Sequence, residues 1–155
     1  MPGPTWLSRL TIPHSFLICL GKASRIKTTL KFVNKPLSNF DLLNWVKQLK
    51  IKHFRGVFSR DALPRQIKNK ECGIVNLDSW IGPGTHWVCY RNMDTYCEYF
   101  DSFGLMMPTE VQKYMMTSGK QLEYSGDEIQ ERDSVLCGYW CLYYLLERQK
   151  RQINS

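Results

Sequence analysis

The sequence predicts an α+β domain in which a small mixed, mostly antiparallel sheet is flanked by helices. Three observations support this class: apolar residues follow Ser38 at helical spacing, two β-prone runs flank a polar turn at 92–94, and a long, largely apolar helix begins near Cys137. The 155 residues, 43% of them apolar and 23% charged, suit one globular domain with a buried core. A sheet covered by helices is the architecture that this order of elements favours.

The first helix is predicted from Ser38 to about Lys50. Ser38 and Asp41 match a capping box in which aspartate takes the place of the usual glutamate. The apolar residues at helical spacing are Leu42, Leu43, Trp45, Val46 and Leu49. Residues 53–71 contain Gly56, Pro64 and many charges, and we predict that they are mostly loop.

Strand-like runs and two further helices follow. The predicted strands are Gly73–Trp80, His86–Arg91, Tyr96–Asp101 and Gln121–Ser125. The second and third of them form a predicted antiparallel hairpin closed by a short polar turn. Pro108 opens a predicted helix over Thr109–Met116, since proline suits a first helical turn. The last predicted helix spans about Cys137–Gln152.

Charge divides the chain into two halves. Residues 1–70 carry fourteen basic and two acidic side chains, a net charge of +12, whereas residues 71–155 carry seven basic and twelve acidic ones, a net charge of −5. We expect residues 1–36 to be a basic, poorly ordered tail with one short strand at Thr28–Val33, and residues 37–155 to be a single domain. The basic half is either a solvated surface or a docking surface for DNA or another polyanion.

The six cysteines indicate a reducing environment. Their spacing is not that of a disulfide framework, and no convincing signal peptide precedes them. We therefore expect an intracellular setting, with nucleus and virion both open. The uncharged run at 134–146 is shorter than the ~20 residues that cross a bilayer, so we expect no membrane partner.

Cys137 is the strongest candidate for a nucleophile. At the start of a helix, unpaired backbone amides and the helix dipole stabilise a thiolate, and Gly138 beside it would let a substrate backbone come close. His86 at a strand start is the candidate base, and Asp101 at the end of the paired strand is placed to orient its imidazole. Gln130 on the loop before the helix is a candidate donor to an oxyanion.

Each of these residues also has a purely structural interpretation. A cysteine on an apolar helix is often a small buried side chain, and a histidine at a strand start is often a polar edge residue. Spacing alone leaves both interpretations open. Cys137 and Cys141 lie one helical turn apart, but only His86 could join them, so a metal site is disfavoured and no cofactor is expected.

Four motifs occur in an order that resembles the adenovirus-type cysteine endopeptidase family and, more distantly, the SUMO and ubiquitin-like-protein proteases of the same clan. They are Gly84-Thr85-His86-Trp87, Tyr99-Phe100-Asp101-Ser102-Phe103-Gly104, Gln130, and Ser134-Val135-Leu136-Cys137-Gly138-Tyr139-Trp140-Cys141. The segment Phe54-Arg55-Gly56-Val57-Phe58 with Leu63-Pro64 is similar to proteases of virus-derived, Maverick/Polinton-type elements. The resemblance covers roughly residues 38 to 148.

The resemblance implies a role for each candidate. Cys137 would be the nucleophile, His86 the general base and then acid, and Asp101 the residue that orients His86. Gln130 and the Cys137 backbone amide would form the oxyanion hole, and Trp87 and Gly138 would wall the site. The implied fold is that of the circularly permuted papain-like clan, with the nucleophile at the start of a buried helix.

The resemblance also implies cleavage of protein substrates after small residues, typically Gly. We expect viral-type polyprotein processing, with a deSUMOylase or deubiquitinase activity as the alternative. The adenovirus enzyme continues well past its catalytic helix, whereas this sequence ends about fifteen residues after the first turn of that helix, so we do not carry over the family's peptide and DNA activators. A non-enzymatic alternative is a catalytically silent remnant that binds DNA or another polyanion through residues 1–70.

Overall fold

The strands form two sheets, of which the smaller lies in the N-terminal region. The computed structural model describes residues 15–19, 27–31, 35–131 and 133–154. Strand β1 (Ser15–Cys19) pairs antiparallel with β2 (Lys27–Lys31). The strand expected at Thr28–Val33 is thus found, and β1 is an additional strand. The expectation of a poorly ordered tail falls mostly outside the described residues and stays a prediction.

A mixed sheet of five strands forms the centre of the domain. Its strands are β3 (Phe54–Ser59), β4 (Glu71–Asn76), β5 (Trp87–Asn92), β6 (Tyr96–Phe100) and β7 (Gln121–Tyr124), and they follow one another in this order across the sheet. The three central strands pair antiparallel, and the two outer strands are added parallel to their neighbours. With the helices described next, this confirms the predicted α+β class.

The three predicted helices are present close to their predicted bounds: α1 (Asn39–Leu49), α2 (Thr109–Met116) and α3 (Cys137–Asn154). The capping box is formed as expected. The Ser38 hydroxyl accepts from the Asp41 amide at 3.1 Å, and the Asp41 carboxylate accepts from the Ser38 amide at 3.0 Å. Lys50 ends α1 with a left-handed backbone at φ 53°.

The sheet separates two apolar layers. Because successive strand residues point to opposite faces, Ile74 packs into the layer with α1 and α3, whereas Val75 packs into the layer with α2. Among the elements, helix α3 contributes the most buried residues to the first layer: Tyr139, Trp140, Cys141, Leu142, Tyr144, Leu145 and Leu146. None of the helices in the described part of the chain combines the length and hydropathy needed to cross a bilayer.

One element differs from the prediction. The segment that we expected to be loop contains β3, which pairs parallel with β4 and has an irregular register between Phe54 and Val57. All six residues of β3 are partly exposed, so the strand has no alternation of buried and exposed positions that the sequence could reveal. Gly56 and the flanking charges hid it further, and its strand conformation depends on pairing with β4.

Candidate active site

His86 lies at the entrance to β5, in a loop that the Asn76 side chain organises. The Asn76 carboxamide oxygen accepts from the Asp78 amide at 2.9 Å and from the Thr85 amide at 3.1 Å. Gly84 takes φ +91° in this loop, a conformation that favours glycine. The His86 carbonyl then accepts from the Leu77 amide at 2.9 Å. The imidazole is therefore placed by a turn whose ends are fixed by backbone hydrogen bonds.

Asp101 follows β6 directly and holds the imidazole. Its Oδ1 accepts from His86 Nε2 at 2.6 Å and from the Phe103 amide at 2.8 Å. The two residues meet because β5 and β6 are antiparallel neighbours, with Cys89 opposite Phe100. Asp101 is fully buried, and its Oδ2 has no hydrogen-bond partner among the described residues.

Phe103 covers one face of the imidazole. The two rings are stacked with centroids 4.3 Å apart and planes 13° from parallel. No role was predicted for Phe103, although the motif places this aromatic residue two positions after Asp101. The stacked ring and the Asp101 hydrogen bond together restrict the orientation of His86.

Cys137 is the first residue of α3 and completes the group. Its thiol lies close enough to His86 to raise the pKa of the imidazole. Because His86 Nε2 is taken by Asp101, Nδ1 is the ring nitrogen left for the thiol. The structure therefore brings together the three residues predicted as a triad, in the order Cys137, His86 and Asp101. Cys137 and His86 both line an open cleft of about 600 Å³.

The surroundings raise the pKa of His86 to about 9. Burial by itself would lower this pKa, but the hydrogen bonds to Asp101 and Cys137, together with the negative charges of these groups, outweigh it. An imidazole with this pKa is protonated at neutral pH. It can thus act as a proton donor as well as a partner for a thiolate.

Gln130 is buried and is not among the residues that line the cleft, so the donation to an oxyanion that we predicted for it stays a prediction. Its Oε1 accepts from the Ser102 hydroxyl at 2.6 Å, and its Nε2 donates to the Ser134 carbonyl at 2.7 Å. The structure thus places the amide on the loop that leads into α3, seven residues before the nucleophile, and bonds it to a residue three positions before the nucleophile. One hydrogen of Nε2 is used by Ser134, and the second has no acceptor among the described residues.

Trp87 and Gly138, predicted as walls, contribute differently. Trp87 lines the cleft, and its indole Nε1 donates to the Leu37 carbonyl at 2.9 Å. Gly138 is buried and packs closely against Leu37 and Trp87. A Cβ at this position would lie 3.2 Å from Leu37 Cδ1 and 3.3 Å from Trp87 Cδ1. Gly138 is therefore closely packed behind the wall, and the substrate contact that we predicted for it stays a prediction.

Four further cysteines are buried, unlike Cys137: Cys72, Cys89, Cys97 and Cys141. Burial raises the pKa of Cys72 and that of Cys97 to about 12, and it also raises the pKa of Cys141 well above its ordinary value. These thiols are therefore protonated at neutral pH. No group of three or more metal-ligating side chains occurs within the described residues, Cys137 and Cys141 included.

Comparison with known proteins gives a structural match and no sequence match. No protein-family model matches the sequence, and no curated protein does. The crystal structure of the ASFV pS273R protease superposes with a TM-score of 0.54 at 17% identity, covering 75% of this chain and 58% of that one. Its selenomethionine form gives a TM-score of 0.48, at 17% identity and 75% and 59% coverage.

The chain is similar in fold to a viral protease. It spans little more than half the length of that enzyme. At this identity the match concerns the fold, and it agrees with the α+β class predicted from the sequence.

Proposed function

We propose that the protein is a cysteine endopeptidase. The observation that carries this proposal is the position of His86, whose imidazole is hydrogen-bonded to the buried Asp101 and lines the same cleft as Cys137, whose thiol raises the pKa of the imidazole. This is the arrangement of nucleophile, base and orienting acid that covalent acyl transfer requires. The fold shared with a viral protease and the resemblance of the site motifs to adenovirus-type endopeptidases support the same activity.

The proposed reaction has two steps. Cys137 Sγ attacks the carbonyl carbon of the scissile peptide bond, and the protonated His86 gives its proton to the departing amine. His86 then takes a proton from water, which attacks the thioester and releases Cys137. The negative charge on the carbonyl oxygen would be stabilised by the Cys137 backbone amide and by the second Nε2 hydrogen of Gln130.

We also propose cleavage after small residues, with Gly preferred. The resemblance to adenovirus-type endopeptidases carries this proposal. The fixed indole of Trp87, held by the Leu37 carbonyl beside Cys137 in the cleft, supports it, because a rigid aromatic wall leaves little room for a large side chain. Polyprotein processing is favoured over removal of SUMO or ubiquitin because the neighbouring structure is a viral enzyme. Fluorogenic Gly-Gly peptides tested beside intact ubiquitin-like precursors would separate these two substrate classes.

Labelling with iodoacetamide tests the chemistry without knowledge of the substrate. We expect Cys137 to be alkylated at least tenfold faster than Cys72, Cys89, Cys97 or Cys141, as followed by mass spectrometry of tryptic peptides. His86→Ala should slow this alkylation. Cys137→Ala should abolish peptide cleavage, whereas the matched control Cys97→Ala should retain it in the folded protein. A folded protein whose Cys137 labels no faster than Cys97 would refute the proposal.

A polyanion-binding surface is a second proposed property, independent of the chemistry. Gln149 on α3 accepts from the Lys52 amide at 2.7 Å and donates to the Lys50 carbonyl at 3.2 Å. This contact joins the ends of α1 and α3, where exposed basic residues collect: Lys47, Lys50, Lys52, His53, Lys150 and Arg151. Such a cluster suits binding to the phosphates of DNA.

The proposed surface predicts binding that depends on salt. Duplex DNA should bind the wild type at low ionic strength, and the affinity should fall steeply with added salt. Lys50→Glu with Lys52→Glu should weaken this binding, whereas Lys113→Glu on α2 should change it less. Equal effects of the two changes would show that net charge, and no defined surface, controls the binding.

A further inference from the structure

We propose that Ser102 is a positioning residue that sets the orientation of the Gln130 amide for the oxyanion hole. This inference rests on the proposed endopeptidase function. Ser102 is fully buried and makes three hydrogen bonds to the loop before α3. Its hydroxyl donates to Gln130 Oε1 at 2.6 Å, and its carbonyl accepts from the amides of Ile129 and Gln130, each at 3.0 Å.

The orientation of a side-chain amide decides whether it can stabilise an oxyanion. Gln130 could in principle present either its oxygen or its nitrogen toward Ser134, and only the nitrogen carries hydrogens for an anion. The Ser134 carbonyl accepts from Nε2 at 2.7 Å, and the Ser102 hydroxyl donates to Oε1 from the other side. Reversing the amide would set its oxygen against the Ser134 carbonyl oxygen. These two contacts together select one orientation.

The backbone around Ser102 holds the two loops close to each other. Gly104 takes φ +64°, and a Cβ at this position would lie 2.9 Å from the backbone atoms of residues 126–128. The Gly104 amide also donates to the Asp101 carbonyl at 2.9 Å, closing a turn over 101–104. The turn is therefore packed directly on the loop that carries Gln130, which leaves Gln130 little freedom to move away from Ser102.

Two adjacent residues, Asp101 and Ser102, therefore each orient one functional side chain of the proposed site. Asp101 orients His86, which handles the protons, and Ser102 orients Gln130, which handles the charge on the carbonyl oxygen. A change at Ser102 should therefore affect acylation by a peptide, which forms an oxyanion. It should leave alkylation of Cys137 by iodoacetamide unchanged, because that reaction forms none.

The test compares Ser102→Ala with Ser125→Ala in cleavage of a fluorogenic Gly-Gly peptide. Ser125 is the matched control, since its buried hydroxyl has no hydrogen-bond partner among the described residues. Loss of one oxyanion donor costs about 10²–10³-fold in kcat. We expect Ser102→Ala to lower kcat about tenfold or more with KM little changed, and Ser125→Ala to leave both near the wild-type values.

Two further measurements separate positioning from a general loss of structure. The rate of iodoacetamide labelling at Cys137 should be the same in Ser102→Ala as in the wild type. In a Gln130→Ala background, Ser102→Ala should cause no additional loss of kcat, because the residue that it positions is already absent.

Different outcomes overturn different claims. A wild-type kcat in folded Ser102→Ala, or the same fold loss with and without Gln130, would overturn the positioning role while leaving the endopeptidase intact. A wild type that neither cleaves the peptide nor labels selectively at Cys137 would overturn the proposed function, and this inference with it. A parallel fall of cleavage and labelling in Ser102→Ala would assign Ser102 a structural role only.

Discussion

Two buried carboxylates at opposite ends of the central sheet are held in contrasting ways. Glu71, at the start of β4, accepts from Arg55 and the Lys68 amide on one oxygen, and from Tyr90 and Tyr114 on the other. Asp101, after β6, accepts both of its hydrogen bonds on Oδ1 and leaves Oδ2 without a partner among the described residues. Both side chains are almost fully buried.

This contrast indicates that the two ends of the sheet have different roles. A buried charge is costly unless hydrogen bonds satisfy it, and Glu71 is fully satisfied. Asp101 is left with one unpaired oxygen and one ionisable partner, His86, which itself faces Cys137 and the cleft. The Glu71 end thus has the features of a structural network, and the Asp101 end keeps the incomplete pairing that is common at functional sites.

The largest effect should come from Asp101→Asn. The amide can still accept from the Phe103 amide but no longer supplies the charge that orients His86, so we expect kcat/KM to fall on the order of 10²–10⁴-fold. The free energy of unfolding at neutral pH should fall by only about 1–2 kcal/mol, since the carboxylate was incompletely paired. Peptide cleavage and urea denaturation measure the two quantities. If Asp101→Asn is largely unfolded while its folded molecules keep the wild-type kcat/KM, Asp101 would be a structural residue and the contrast with Glu71 would be wrong.

Glu71→Gln should produce the opposite pattern. Removing the charge beneath Arg55 and the two tyrosines should cost about 3–5 kcal/mol of stability, as expected for a broken buried ion pair. The folded protein should keep its kcat/KM. Glu110→Gln, at an exposed pair with Arg60, is the control and should change stability by less than about 0.5 kcal/mol. A loss of kcat/KM in folded Glu71→Gln would mean that the hydrogen bonds to Glu71 also support the activity.

The pH dependence of stability should differ between the wild type and Asp101→Asn. The pKa of His86 in the folded protein, about 9, lies above the ordinary value of about 6.5. The protonated ring therefore stabilises the folded state fully below about pH 6.5, and this contribution is lost as the pH rises through about 9.

Urea unfolding followed from pH 6 to pH 10 tests this sign. The cost of Asp101→Asn, about 1–2 kcal/mol at neutral pH, should shrink above pH 9. The His86 imidazole resonance should titrate near pH 9 in the wild type and at lower pH in the variant. A cost that stays constant across this range would show that the pair contributes no pH-dependent stability.

The smallest effect should come from Ser38→Ala at the cleft end of α1. Loss of the capping hydroxyl should cost about 1 kcal/mol, because the Asp41 amide loses its acceptor. Urea denaturation measures this cost, and kcat should remain near the wild-type value since Ser38 lines the cleft without contacting the triad. A large fall in kcat in Ser38→Ala would show that the start of α1 also contributes to the reaction.

Much of the site could be predicted because its residues fall at the ends of predictable elements. His86, Asp101 and Cys137 mark a strand start, a strand end and a helix start, and the antiparallel pairing of β5 and β6 brings the first two together. The capping box at Ser38 could also be predicted, since it depends on two residues three positions apart. Local patterns and the order of the motifs were sufficient for these features.

The remaining features depend on contacts between distant residues. β3 was predicted as loop because its evenly half-buried residues show no period, and its pairing with β4 is a tertiary contact. The bond between Ser102 and Gln130, residues 28 positions apart, has no local signature. Gly138 was predicted to give access to a substrate backbone, and its close packing against Leu37, which lies 101 positions earlier, was not predicted. These are long-range effects that one sequence does not reveal.

The hydrogen bond between Trp87 and the Leu37 carbonyl bears on how the domain can be trimmed. A fragment that started inside α1 would retain every strand of the central sheet and all three triad side chains. It would nevertheless lose the carbonyl that accepts from the indole, and the aromatic wall would be held less firmly at the cleft. Such a fragment would bind its substrate poorly while its thiol still reacted with small electrophiles. A fragment that keeps the cleft intact should therefore begin before Leu37, upstream of the first helix.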